Sequence, residues 1–238
     1  MAGLVWLLLL LPLVLAGVGY GLRGSAWTRW LPVLSAVLLL AVGITLVWLV
    51  GLLGPAVTAS GLLRVDALSA WMLVVVGAVA VVALWGGMEA DGSFAALLCL
   101  FLAAMTLAVV ADNIGLMWVA IELTTITTAF LVASKGGRDS LEAAWKYVVL
   151  GAVGVAIAFL GITLLSAASL ASGEATVSWV LLQHADALDP TLAKAAGALA
   201  VLGFATKAGL APMHSWLPDA HSQAPAPVSV LLSGVLLA

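Results

Sequence analysis

Two ionisable residues stand where a chain this apolar has least reason to place them. Glu122 lies within NIGLMWVAIELTTITTAFLVA, and Lys207 closes an apolar run that Gly209, Pro212 and Pro218 then interrupt. A charge inside lipid hydrocarbon costs roughly 2.5–3.5 kcal/mol on insertion scales. Broken backbone there leaves amides unpaired unless protein or water satisfies them. A chain carrying both features side by side is built around a polar path, as proton relays and ion sites are. A carboxylate and an ammonium can both pass a proton on. His214 and His221 flank WLPDA and belong to the residue type that titrates near neutral pH. The alternative for each is a hydrogen-bonding loop histidine.

Depth follows from helix geometry. Glu122 is nine residues past Asn113, about 13 Å along a helix, which is near the middle of a hydrocarbon core about 30 Å thick. Thr125 shares its face at i+3 and Trp118 at i−4. Lys207 is thirteen residues after Lys194, roughly 20 Å deep if Lys194 marks the boundary. The competing readings are a glutamate that only ties two helices together and a lysine that snorkels out through the break at Pro212. Since these are the two strongly buried opposite charges, mutual pairing is expected. Lys146, in AAWKYVVLGAVG, reads equally as a positive-inside anchor and as a group feeding protons inward. Asp219 beside Pro218 reads as a helix cap or turn residue, Arg64 and Asp66 as an interfacial pair, and Asp112 as a turn residue.

The elements that must position these groups are spans. The 238 residues are 65% hydrophobic and 8% charged, with mean hydropathy +1.27, against about 25% charged in a soluble domain. That composition describes an integral membrane protein. Seven runs approach the length of a crossing: Gly3–Tyr20, Leu31–Leu53, Ala67–Met88, Phe94–Ala111, Ile114–Ala133, Trp145–Leu170 and Leu192–Leu210. A partial eighth begins near Pro227 and stops at Ala238, short of the roughly 20 residues a crossing needs. The expected fold is therefore an all-α polytopic transmembrane bundle of seven spans plus a partial eighth, with a discontinuous seventh helix whose break covers Gly209 to Met213. No segment reads as a strand. Three segments are expected: residues 1–66 with the first two helices, 67–93 with the third, and 94–238 with helices four to eight.

The first run lacks a basic flank and cleavage site and reads as a retained span. Basic residues Arg23, Arg29, Lys135, Arg138 and Lys146 fall on one side, with Arg64 and Lys194 on the other. This asymmetry predicts an external N-terminus. The longest connection, Ala171 to Pro190, carries Glu174, His184, Asp186 and Asp189. A net charge of −3 gives no reason to expect nucleic acid. Cys99 is the single cysteine, so no internal disulfide forms. No Cys or His cluster has metal spacing, and no phosphate loop or dinucleotide fingerprint is present. No cofactor and no metal are expected on this chain.

The residues also resemble a known family. KAGLAPMHSWLPDAHSQAPAPVSVLLSG resembles the seventh-to-eighth-helix signature of the antiporter-like membrane subunits of respiratory complex I and of Mrp sodium/proton antiporters. MWVAIELTTITTAFLV is similar to their fifth helix, LRVDALSAWM to the start of their third, and AAWKYVVLGAVG to the start of their sixth. The wording of the long motif is most similar to the large membrane subunit of hydrogenase-4 and formate hydrogenlyase complexes. The resemblance covers roughly Leu62 to Ala238. It implies that Lys207 is the lysine of a discontinuous seventh helix, that Glu122 and Lys207 form a charge pair, and that Lys146 lies on the connecting polar axis. The chain departs from the family pattern at Ser233, where many complex I members carry histidine. The family runs to about fourteen helices in two inverted repeats, so the expectation is a piece or one half of a split subunit, with the second repeat supplied elsewhere.

The function so implied is proton translocation in the plasma membrane, as part of a hydrogenase or NADH:quinone-type oxidoreductase complex with other membrane subunits as partners. One alternative is an Mrp-type sodium/proton antiporter subunit. A second, of another class, is a non-transporting scaffold, against which the desolvation cost of Glu122 and Lys207 argues.

Overall fold

A computed structural model describes residues 1–22, 24–86, 91–185 and 187–237. Arg23, Met88, Asp186 and Ala238, named above, lie outside them. Helices α1 (Ala2–Gly21), α2 (Trp30–Leu53), α3 (Ala67–Trp85), α4 (Gly92–Val110), α5 (Ile114–Ala133) and α6 (Arg138–Ser169) form the body of the bundle. A short α7 (Trp179–Gln183) precedes α8 (Pro190–Lys207), α9 (Trp216–Gln223) and α10 (Ala226–Leu231), and α10 runs on into a π-helical turn at Leu232–Leu236.

The helix starts are written in the sequence. Asp66, Asp91 and Asn113 each accept a hydrogen bond from the backbone N–H three residues on, at 2.9, 2.8 and 3.0 Å. Asp189 accepts from Thr191 and Leu192, with Pro190 opening α8. These side chains satisfy amides that a helix start leaves without partners.

Six helices, α1 to α6, are long and apolar enough to cross a membrane, and the chain is a multi-pass integral membrane protein. The seventh expected span is divided, as expected of a discontinuous helix: α8 ends at Lys207 and regular helix resumes at Trp216. α8 has eighteen residues and carries Lys194 and Lys207, so its composition falls short of the other six. The sixth helix starts earlier than Trp145, at Arg138, because Gly137 turns the chain with φ 92° just before it. The expectation that nothing forms a strand is also corrected. β1 (Ala56–Thr58) and β2 (Leu63–Val65) make a small antiparallel hairpin, pairing Ala56 with Val65 and Thr58 with Leu63. Three-residue strands are too short for alternation to show. This pair is also anchored non-locally, by Leu63 against Ala111.

α6 and α8 cross at very close range. A Cβ on Gly203 would lie 2.4 Å from Ala158 N and 2.5 Å from Gly154 O, and one on Gly161 would lie 2.6 Å from Ala200 N. Small residues let transmembrane backbones approach in this way. The close crossing brings the C-terminal end of α8 against the middle of α6 and α5.

Candidate functional site

α8 ends at Lys207, and regular helix resumes at Trp216. Gly209 adopts φ 68°, a conformation that favours glycine. Pro212 follows within the non-helical stretch, so Gly209 and Pro212 both lie in the break. Pro218 does not break a helix. It occupies the first turn of α9, where a missing N–H has no intrahelical acceptor to lose. The backbone at the break stays bonded: Leu210 N–H donates to Ala205 O at 3.0 Å, and the Trp216 indole N–H donates to Thr206 O at 2.9 Å.

Lys207 is 5% exposed. Its ammonium donates to Thr125 Oγ1 at 2.8 Å and to the hydroxyl of Tyr147. Tyr147 is wholly buried and packs edge-on against Trp216, with ring centroids 5.0 Å apart. α5, α6 and α8 thus each give one polar group to the same point, and α9 closes it with an aromatic ring.

Glu122 sits one turn from Thr125 on α5, and its Oε2 is buried without a hydrogen-bond partner. Glu122 and Lys207 make no direct ion pair, although the charge of Glu122 acts on the ammonium from across the site. Lys207 is held by Thr125 and Tyr147, and the ion pairs among the described residues do not include it. Thr125 lies between the two charges, since it shares a helix face with one and bonds the other. Its hydroxyl also lies 3.1 Å from Ile121 O.

Lys146 is half-exposed and bridges Glu142 at 2.8 Å and Asp219 at 2.9 Å. Asp219 is therefore a link between α6 and α9, where a helix cap or turn residue was expected. Lys146 itself precedes Tyr147, so the surface network and the buried lysine cage hang on adjacent residues of one helix. His221 Nδ1 lies 2.8 Å from Ser229 Oγ, on the far side of α9 from the cage, beside a cleft of about 790 Å³ lined also by Val79, Ser233 and Gly234. His214 is exposed within the break. The structure thus gathers Glu122 and Lys207 into one site through Thr125 and Tyr147, and leaves Lys146, His214 and His221 around it. Sequence reasoning passed over Tyr147, Thr206 and Trp216. The available signal was a phenol beside a lysine, at the point where the apolar part of α6 begins.

Known proteins share this arrangement of helices. The chain is 44% identical to the hydrogenase-4 component F homolog of Methylacidiphilum infernorum, over 56% of its own length and 29% of that protein. It is 34% identical to NADH-quinone oxidoreductase subunit N of Deinococcus radiodurans, over 94% of its own length and 49% of that one. Among solved structures it superposes on a chain of the membrane-bound sulfane sulfur reductase, an archaeal respiratory membrane complex. That match has a TM-score of 0.87 at 25% identity and covers 98% of this chain and 50% of the other. A chain of the Mrp complex from Dietzia sp. DQ12-45-1b shares the fold at TM-score 0.81 and 21% identity, covering 99% of this chain and 46% of that one. The chain spans about half or less of the length of these relatives. The family described as "NADH:quinone oxidoreductase/Mrp antiporter, TM" matches residues 111–238, the stretch that holds Glu122, Tyr147, Lys207 and the break. With more than half of its length matched, the chain belongs to the NADH:quinone oxidoreductase/Mrp antiporter transmembrane family.

Proposed function

We propose that this chain forms a proton-translocating membrane subunit, or the N-terminal half of one, in a hydrogenase or NADH:quinone-type oxidoreductase complex of the plasma membrane. Other membrane subunits would be its partners and would carry the redox chemistry. The observation that carries this reading is Lys207, an ammonium buried at the end of a broken helix and bonded only to hydroxyl groups. A structural cation in a membrane is normally paired with an opposite charge or with backbone carbonyls. Hydroxyl partners instead leave the lysine able to give its proton up.

Two hydroxyls and a carboxylate supply the path. When Lys207 releases a proton, the neutral amine can accept a hydrogen bond from the Thr125 or Tyr147 hydroxyl, each of which is both donor and acceptor. A proton arriving at Glu122 then has a hydroxyl one helical turn away through which to reach the amine. The break at 208–215 provides backbone groups that water can meet, as at the discontinuous helices of transporters.

The test is proton movement in vesicles holding the assembled complex. Glu122→Gln is expected to insert and assemble normally and to lose nearly all pumping. Pumping at the wild-type rate by that variant would overturn the relay. Replacing external sodium with choline separates the alternative of an Mrp-type sodium/proton antiporter, whose exchange would stop without sodium.

A further inference from the structure

One hydroxyl on the wall of the site has no bond of its own. α5 carries four threonines in the run LTTITT: Thr124, Thr125, Thr127 and Thr128. A threonine within a helix ordinarily turns its hydroxyl back onto a carbonyl three or four residues earlier. Three of the four do so: Thr124 to Ile121 O at 2.6 Å, Thr125 to Ile121 O at 3.1 Å and Thr127 to Leu123 O at 2.9 Å. Thr128 is wholly buried, and its Oγ1 has no hydrogen-bond partner. Thr124 O, the carbonyl four residues earlier, already accepts from Thr127 Oγ1 at 3.1 Å.

Its neighbour is the phenol that holds Lys207. Thr128 lies three residues after Thr125, on the same face of α5, and the Tyr147 hydroxyl stands beside both threonine hydroxyls. Ala129, the next residue, packs with Tyr147, Trp216 and Ala220 in one buried cluster. The phenol ring therefore lies against this level of α5.

A phenol has one proton to give and lone pairs with which to receive. While Lys207 is charged, its ammonium donates to the phenol oxygen, and the phenol's own O–H needs an acceptor. Thr125 Oγ1 already receives from the ammonium and lies 3.1 Å from Ile121 O, whereas Thr128 Oγ1 is uncommitted. Once Lys207 has lost its proton, the neutral amine becomes an acceptor. The phenol O–H then turns to it, and the phenol oxygen needs a donor. We propose that Thr128 is a positioning residue of the relay: its hydroxyl accepts from Tyr147 while Lys207 is charged and donates to Tyr147 when Lys207 is neutral. Each hydroxyl keeps its one proton and only rotates, so hydrogen bonds are all that change. A threonine bonded back to its own helix could not serve, because its proton is already held. The inference rests on Lys207 changing its charge, as proposed above.

Thr128→Val removes the hydroxyl at nearly constant shape, and Thr128→Ser keeps it. In vesicles holding the assembled complex, Thr128→Val is expected to lower proton flux about threefold to tenfold, the worth of one hydrogen bond, and Thr128→Ser to retain most of it. In Tyr147→Phe, which has no phenol proton to place, Thr128→Val is expected to change nothing further. Wild-type flux in Thr128→Val overturns the proposal. So does an equal proportional loss in both backgrounds, which would put Thr128 outside the phenol's bonding. So does a Thr128→Ser variant no better than Thr128→Val, which would make the methyl group the part that matters. Should Thr128→Val fail to assemble, Thr128→Ala takes its place in the same comparisons. Thermal unfolding of wild type, the two single variants and the double variant reads the Thr128–Tyr147 coupling without any transport. Losses smaller in sum than additive are expected, and additive losses overturn the pairing. The relay itself fails on Glu122→Gln, so the two failures are distinguishable.

Discussion

Lys207 and Tyr147 meet twice. The ammonium donates to the phenol oxygen and also stands 4.4 Å from the centroid of the same ring, although sixty residues of chain separate the two. The phenol is therefore the lysine's main contact outside its own helix, and Thr125 is the second.

Removing that hydroxyl tests its part in the site. Tyr147→Phe keeps the ring against Trp216 but leaves Lys207 one acceptor short, at a cost of about 1–3 kcal/mol for an unsatisfied buried group. The expected result in vesicles is a proton flux reduced by tenfold or more with assembly intact, since the ring still packs. Thermal unfolding of the purified variant checks the stability loss. Normal flux would assign Tyr147 to packing alone.

Lys207→Arg separates charge from proton transfer. A guanidinium retains the positive charge and donors for Thr125 and Tyr147, but it does not release its proton in a protein. The variant is expected to fold and to pump no better than Lys207→Ala. Vesicle acidification by the assembled complex measures this, and normal pumping by the arginine variant would reduce Lys207 to a structural cation.

The α6–α8 crossing makes a steric prediction. In Gly203→Ala the new methyl meets backbone atoms of Ala158 and Gly154, which cannot step aside, and overpacking of this kind costs about 1–3 kcal/mol. Gly197→Ala lies on the same helix with open space around it and should be neutral or stabilising by up to about 1 kcal/mol. Thermal unfolding of the two variants side by side decides this; equal melting would mean that the helices are not held at this distance.

Asp66 predicts a pH dependence. Burial pushes its carboxyl up, but hydrogen bonds from the Ser69 backbone and hydroxyl, with Arg64 beside it, outweigh burial and hold it below the usual carboxylate range. A folded value below the unfolded one means that Asp66 stabilises the fold above its unfolded pKa, and that this contribution is lost as pH falls through the folded value. Asp66→Asn should therefore lower the melting temperature at neutral pH; the difference should begin to shrink near about pH 4 and vanish once the pH is below the folded value. Parallel melting curves from pH 3 to about pH 6 would show the carboxylate to be uncoupled from folding.

What could be read beforehand followed cost. Glu122 and Lys207 stand out because a charge in lipid is expensive wherever its helix points, and the break is legible because Gly209 and Pro212 act through the backbone. Side-chain direction was not legible. Spacing along α5 and α8 gave depths, but whether Glu122 touches Lys207 depends on how the helices are rotated, and Thr125 and Tyr147 stand at Lys207 instead. Pro218 misled because proline in a first helical turn and proline in a helix interior look alike in sequence. Asp219 and Asp112 were read as local turn residues. Their partners, Lys146 and Ser178, lie 73 and 66 residues away.

The bond from the Trp216 indole to Thr206 O has a mechanical consequence. Trp216 belongs to the second half of the divided helix and Thr206 to the first, so residues 206–216 form a closed ring clasped by one hydrogen bond. The two halves are not hinged freely at Pro212. Any motion that carries α9 away from α8 must first open this clasp, and because Trp216 also packs on Tyr147, the opening would be felt at once by the phenol that holds the buried ammonium.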